Sequence, residues 1–93
     1  MRVAIAVIDL HIPSSCSLKA KRQVVKSLVQ RLRQRFNLSV TEVGSQDLWQ
    51  RSELGLAVVC HNGPGADSIL QQIYSYIEED TKLEIISTKV EIY

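Results

Sequence analysis

A run of basic side chains is the feature of this sequence best suited to binding chemistry. Residues 10–41 contain no acid, and they carry seven of the eleven cations: Lys19, Lys21, Arg22, Lys26, Arg31, Arg33 and Arg35. Residues 1–41 hold eight cations and one acid, a balance of +7, whereas residues 42–93 hold three cations and nine acids, a balance of −6, and together these give the net +1. Charge segregation of this kind points to an anionic partner for the basic half.

The basic residues are expected on one helix, whose N-cap is Ser17. On a helical wheel Lys19, Arg22, Lys26 and Arg33 share an arc of about 60°, whereas Lys21, Arg31 and Arg35 lie toward the opposite flank. Cations at a helix start oppose the macrodipole, at a cost of about 0.3–1 kcal/mol each, yet they favour an anion site there. A solvated, solubilising helix face is the alternative, but the missing Glu partners at i,i+4 favour polyanion binding.

A polar loop around the only tryptophan is the second candidate for contact with a ligand. It runs from Gln46 to Arg51, and Asp47 is expected to cap a short helical turn within it. Trp49, with Gln46, Gln50 and Arg51, could stack on and hydrogen-bond an unpaired base. The favoured interpretation is structural, with Trp49 as a lid on the core or on a dimer interface.

The spacing of the residues gives little support for a catalytic site or a metal site. If the carboxyl ends of strands one and three are neighbours, His11, Cys16, Cys60 and His61 gather at one edge, but their spacing matches no zinc signature. The loop after strand one lacks the glycines and arginine of acyl-phosphate hydrolases, and the loop at 62–65 lacks the GK[ST] of a P-loop. We therefore expect no enzyme, no metal and no cofactor. RNA-recognition-motif aromatics are also absent from strands one and three.

The elements that position these residues follow a β-α-β-β-α-β order. Alternation and helical periodicity predict strands at 3–12, 38–43, 54–60 and 83–92, a helix from Leu18 to Phe36, and a second helix after the loop at 62–65. An apolar parity slip between Ile85 and Ile86 predicts a β-bulge. The prediction is a single α+β domain, residues 1–93, with a ferredoxin-like fold: an antiparallel sheet with both helices on one face, and strands one and three side by side and parallel in the middle.

Both faces of the two central strands are apolar. In strand one Val3, Ile5 and Val7 point one way, while the alternate positions Ala4 and Ala6 point the other way. Because the helices cover only one face, we expect a homodimer through the sheet, the alternative being a partly exposed apolar sheet.

Two stretches of the sequence resemble a known family. The segments SLKAKRQVVKSL, residues 17–28, and QDLWQRSELG, residues 46–55, are similar to the signature stretches of the YlxP-like family of small bacterial proteins of uncharacterised function. The family pattern falls on Ser17, Leu18, Lys19, Lys21, Arg22, Trp49, Gln50 and Arg51, and it departs at Ala20, where the family has glutamate. The resemblance implies a ferredoxin-like fold and a cytoplasmic protein whose gene lies beside translation and ribosome-maturation genes.

The function predicted from these observations is a non-enzymatic RNA- or ribosome-associated protein, acting in ribosome maturation or translation. Its predicted nucleic-acid-binding residues are Ser17, Lys19, Lys21, Arg22, Lys26, Arg33, Trp49, Gln50 and Arg51. Two alternatives stay open: a dimeric interaction module that binds an acidic protein, and a small-ligand or enzyme domain with an anion site at the start of helix one. No membrane partner is expected.

Overall fold

The computed structural model describes all residues, 1–93. It contains six elements: β1 (Arg2–His11), α1 (Leu18–Arg35), β2 (Ser39–Gly44), β3 (Arg51–Cys60), α2 (Gly63–Glu78) and β4 (Glu84–Ile92). The order β-α-β-β-α-β is the one predicted. Strand β3 begins three residues before the predicted Leu54, because residues 51–53 continue the ladder with the end of β1.

The sheet has the order β2-β3-β1-β4, and every neighbouring pair of strands is antiparallel. The ferredoxin-like arrangement is confirmed, but the parallel orientation predicted for β1 and β3 was wrong. Helix α1 returns the chain so that β2 runs in the direction of β1, and the β2–β3 connection then reverses it. The register pairs His11 with Arg51 at one end of the sheet and Arg2 with Cys60 at the other.

The core lies between the sheet and both helices. Buried and more exposed positions alternate along β1 and β3, so a single face of the sheet is covered. Eighteen buried apolar residues form one cluster, to which α1 contributes Val25, Leu28 and Leu32, and α2 contributes Ala66, Leu70, Ile73 and Ile77. These residues form one contiguous core that the sheet and both helices share.

Local sequence rules set the ends of both helices. The Ser17 Oγ accepts a hydrogen bond from the backbone N–H of Ala20 at 3.0 Å, so the predicted N-cap is confirmed. The Asn62 side chain caps α2 in the same way, through the N–H of Gly65 at 2.7 Å, with Pro64 in the first turn.

The predicted bulge in β4 is also present. Asp9 pairs with Ser87, whereas its neighbour Leu10 pairs with Ile85, which leaves Ile86 as the extra residue. The helical turn predicted at Asp47 is absent. Residues 45–48 form a β-turn instead, in which the Leu48 N–H donates to the Ser45 carbonyl at 3.2 Å. Ser45 adopts a left-handed conformation with φ of 56°, which reverses the chain before any helical cap forms.

Neither helix is long and apolar enough to cross a membrane.

Candidate nucleic-acid interface

Lys21 is the predicted binding residue whose placement differs most from expectation. Its side chain is completely buried, and its Nζ lies 2.6 Å from Glu42 Oε2 while donating to the carbonyls of Ser45 at 2.9 Å and Gln46 at 3.2 Å. The prediction that Lys21 contacts nucleic acid was therefore wrong, because its ammonium group is fully engaged inside the protein. On the helix it shares the buried face with Val25, four residues on, and does not lie on the flank that the wheel assigned to it.

Glu42 and Ser52 complete this buried polar network, and sequence reasoning missed both. Glu42 follows the buried Val40 at the two-residue spacing of one strand face, so its carboxylate points toward α1. Ser52 donates its hydroxyl to Glu42 Oε2 at 2.6 Å. Both residues were visible in the sequence, because Lys21 lies near the centre of the apolar arc of α1 and Glu42 is the one acid in β2.

Gln50 makes a second set of hydrogen bonds that join the Trp49 loop to the segment before α1. Its Nε2 donates to the carbonyls of Pro13 at 3.1 Å and Ser15 at 3.2 Å, in the segment that leads into α1. The backbone carbonyl of Gln50 accepts from the Ile12 N–H at 2.8 Å. Together with the contacts of Lys21, these bonds fix the Trp49 loop against the start of α1, so two regions distant in sequence form one end of the molecule.

Trp49 projects from this end of the molecule. Its side chain is 55% exposed and that of the neighbouring Leu48 is 51% exposed. Trp49 therefore does not act as a lid on the core, which corrects that half of the structural interpretation. An exposed indole on a turn that is anchored on both sides presents an aromatic face without a large ordering cost.

The cations of α1 divide into free and engaged groups. Arg31 pairs with Asp80 at 3.1 Å, the Arg35 guanidinium lies 4.9 Å from the Tyr76 ring centroid, and Arg33 Nη2 donates to the Val40 carbonyl at 2.8 Å. The exposed side chains that make no salt bridge or hydrogen bond are Lys19, Arg22 and Lys26. These three, with Trp49, form what we call the basic end.

The basic end contains the N-terminus of α1. The first turn has no acidic residue, and Ser17 satisfies the N–H groups of Ala20 through its hydroxyl and Lys21 through its carbonyl. Capping leaves the N–H groups of Leu18 and Lys19 without a partner inside the helix. The positive end of the macrodipole therefore adds to the charges of Lys19 and Arg22. Ser17 belongs to this site as the cap that shapes it.

Arg51 lies apart from the basic end. It opens β3, pairs in register with His11, and donates from Nη2 to Asp9 Oδ2 at 2.8 Å. Asp9 and Arg51 alternate with the buried positions of their strands, so both lie on the sheet face opposite the helices. The structure thus fixes the Trp49 loop against the start of α1, which carries Lys19 and Arg22, with Lys26 about one turn farther along the helix, and it places Arg51 on the opposite face of the sheet.

The set of His11, Cys16, Cys60 and His61 does not gather. Because β1 and β3 are antiparallel, His11 and Cys16 follow one end of the sheet, and Cys60 and His61 occupy the other. Both cysteines are free thiols, and no group of three or more His, Cys, Asp or Glu side chains is arranged to hold a metal ion.

Comparisons with known proteins place the chain in a family. A family model described as "Protein of unknown function (DUF503)" matches residues 3–90. The "Uncharacterized protein YlxP" of Bacillus subtilis (strain 168) is 36% identical over 75 residues, which are 81% of this chain and 82% of that protein. Among solved structures, the solution NMR structure of a de novo designed protein with a ferredoxin fold has a TM-score of 0.48 at 18% identity, covering 100% of this chain and 83% of the design. The resemblance to YlxP-like proteins is confirmed, and the chain belongs to the DUF503 family of proteins of unknown function.

Proposed function

We propose that this protein is a non-enzymatic RNA-binding protein whose basic end contacts single-stranded RNA. The observation that carries the proposal is the anchoring of the exposed Trp49 loop to the start of α1, the helix that carries three exposed cations with no salt-bridge partner in the protein. Cations track a phosphate backbone and aromatic side chains stack on unpaired bases, and single-stranded RNA offers both groups together.

The side chains divide these tasks between them. Lys19, Arg22 and Lys26 neutralise phosphates, while Trp49 stacks on a base that is not paired in a helix. Lys21, Glu42 and Gln50 keep the loop in place and take no part in contact with the ligand. Base stacking of this kind contributes about 1–3 kcal/mol per base and tolerates any sequence.

The cellular context that we propose is the cytoplasm, with ribosome maturation or translation as the process. The free state of both Cys16 and Cys60 suits a reducing compartment. A ribosomal subunit under assembly exposes unpaired rRNA, which is the ligand that the basic end would recognise. Freshly purified protein should therefore co-migrate with a ribosomal subunit at low salt.

The salt dependence of RNA binding tests the phosphate contacts. We expect the affinity for a short unstructured oligoribonucleotide, measured by fluorescence anisotropy, to fall with a log–log slope of about −2, from three contacts at about 0.7 each. Counting Arg33 as a fourth contact, as the sequence suggests, would give about −3, but its guanidinium already donates to the Val40 carbonyl.

A matched pair of charge reversals locates the contacts. The double variant Lys19→Glu/Lys26→Glu should lose binding, whereas Lys82→Glu/Arg2→Glu, which changes net charge equally at exposed sites outside α1 and outside the open face of the sheet, should retain most of it. Quenching of Trp49 fluorescence should accompany RNA binding. A flat salt response, or equal losses in the two double variants, would refute the proposal. Co-sedimentation that survives nuclease treatment would instead favour the acidic protein partner.

A further inference from the structure

The sheet face opposite the helices is apolar along its centre and uncovered. On β1 it presents Val3, Ile5 and Val7, and on β3 it presents Ala57 and Val59, with Val59 66% exposed and Ile5 41% exposed. We call this surface the open face. Adjacent apolar side chains on two central strands form a patch of the kind that marks an interaction site.

The open face has both a groove and a ridge. The groove, about 420 Å³ in volume, runs over Gly55 and Ala57, and its walls include Val43 and Ile5. A Cβ on Gly55 would lie 2.8 Å from Val43 Cγ1, so glycine is what allows the Val43 side chain to lean over β3 and close one wall. The ridge is formed by the protruding Val59. Because the surface has both shapes, the ridge of one copy can fit into the groove of another.

A polar rim surrounds the apolar centre. Ser39 and Thr41 on β2, and Ser87, Lys89 and Glu91 on β4, share the open face by their register with β3 and β1. At one end of the face Asp9 pairs with Arg51 at 2.8 Å, and Glu53 beside them adds a carboxylate without a salt-bridge partner. An apolar centre with a polar rim is the anatomy of a protein interface, and the absence of an unpaired cation in that centre argues against nucleic acid here.

The rim is also complementary to itself. Lys89 and Glu91 are two residues apart on the same face of edge strand β4, and both are exposed. A two-fold axis that places one β4 beside the other brings each lysine to the partner's glutamate. A partner with one sign of charge would meet a repulsive residue at one of these two positions.

The area of the open face is close to the lower limit for a small stable dimer. The four strands contain 10, 6, 10 and 9 residues, which at about 3.3 Å per residue and 4.8 Å between strands cover roughly 550 Å² as a flat sheet. Because side chains project from the sheet, the accessible area is larger than the area of the flat sheet. Standard interfaces bury about 800 Å² per partner, and the lower end of the stable range is about 600 Å².

We propose that the open face binds a second copy of this chain, giving a two-fold symmetric dimer in which the two sheets pack face to face. The groove over Gly55 and Ala57 receives the partner's apolar ridge, and β4 forms the charged edge of the contact. This inference is independent of the RNA-binding proposal, since it concerns the opposite side of the sheet.

Sedimentation equilibrium of the full chain tests the proposal. We expect a mass of twice the 10.5 kDa of the chain at micromolar concentration, and a Tm that rises with protein concentration as mass action requires. A monomer with a Tm independent of concentration would overturn it.

Variants then assign the interface to the open face. Ala57→Gln fills the groove without changing charge, and Val59→Glu places a charge on the ridge, so each should raise the dimer dissociation constant by at least about tenfold. Leu48→Glu adds the same charge to an apolar side chain that is 51% exposed elsewhere, and should remain dimeric. Circular dichroism checks that each variant is folded. If Ala57→Gln and Val59→Glu stay dimeric while folded, the interface lies elsewhere.

Discussion

At the scale of one residue, Lys21 is a basic side chain that stabilises the fold and is not available to contact a ligand. Its ammonium group lies against Glu42 at 2.6 Å, and both partners are largely shielded from water. Removing the cation by Lys21→Met leaves a shielded carboxylate without its counter-charge. We expect the free energy of unfolding, measured by urea titration, to fall by about 3–5 kcal/mol.

Two companion variants separate the ion pair from general effects of mutation. Lys19→Met removes an exposed, unpaired lysine two residues away and should change the unfolding free energy by less than about 0.5 kcal/mol. Combining Lys21→Met with Glu42→Gln removes both charges and should recover part of the loss, since an amide oxygen still accepts from Ser52. Equal stability of Lys21→Met and Lys19→Met would contradict the buried pair.

The residue scale is also where sequence reasoning went furthest astray. Lys21 precedes Val25, Leu28 and Leu32 by 4, 7 and 11 residues, which is the spacing of the buried face. The periodicity therefore places Lys21 on the buried face of the helix. A lysine, however, is buried only when a partner of opposite charge is present. That partner, Glu42, is 21 positions away on another element, and only the folded chain brings the two together.

Helix α1 links the local sequence to the proposed site at the scale of one element. Ser17 was predicted as its N-cap and also as a binding residue, and the hydroxyl accepts from the Ala20 N–H at 3.0 Å. Replacing it by Ser17→Ala should lower the unfolding free energy by about 1 kcal/mol, because the N–H of Ala20 loses its acceptor. Below the Tm, the affinity for RNA should change little.

Ser27→Ala is the matched control for the cap, since it removes an exposed hydroxyl from the middle of the same helix. It should be neutral or slightly stabilising, because alanine has the higher helix propensity. A large loss of RNA affinity in Ser17→Ala, without any loss of stability, would show that the hydroxyl contacts the ligand directly.

Elements were predictable where the information is local. The cap at Ser17 and the bulge at Ile86 follow from a few neighbouring residues, and both are present. The orientation of β3 against β1 was not obtained correctly, because it depends on counting each reversal of the chain through α1 and the β2–β3 turn. With that orientation wrong, Cys60 and His61 were placed at the end of the sheet opposite their actual one.

The whole molecule has two separate surfaces on opposite sides of the sheet. Helix α1, with Lys19 and Lys26, lies on one side, and the open face lies on the other. The two-sided apolar pattern of β1 was readable from the sequence, because residues alternate strictly between the faces of a strand. The homodimer expected from that pattern stays a prediction, and its geometry was not readable, since it depends on the shape of the groove and on the register that brings Lys89 and Glu91 onto the rim of the open face.

This separation predicts that dimerisation and RNA binding are independent for short ligands. The Ala57→Gln variant, which changes no charge, should bind a five-nucleotide RNA with the same dissociation constant per protomer as the natural chain, within about twofold, and with an unchanged salt slope of about −2. The reason is that its substitution lies across the sheet from the cations of α1. Isothermal titration should count one RNA per chain in both proteins. A loss of affinity in a folded, monomeric Ala57→Gln would instead mean that the RNA site spans both protomers.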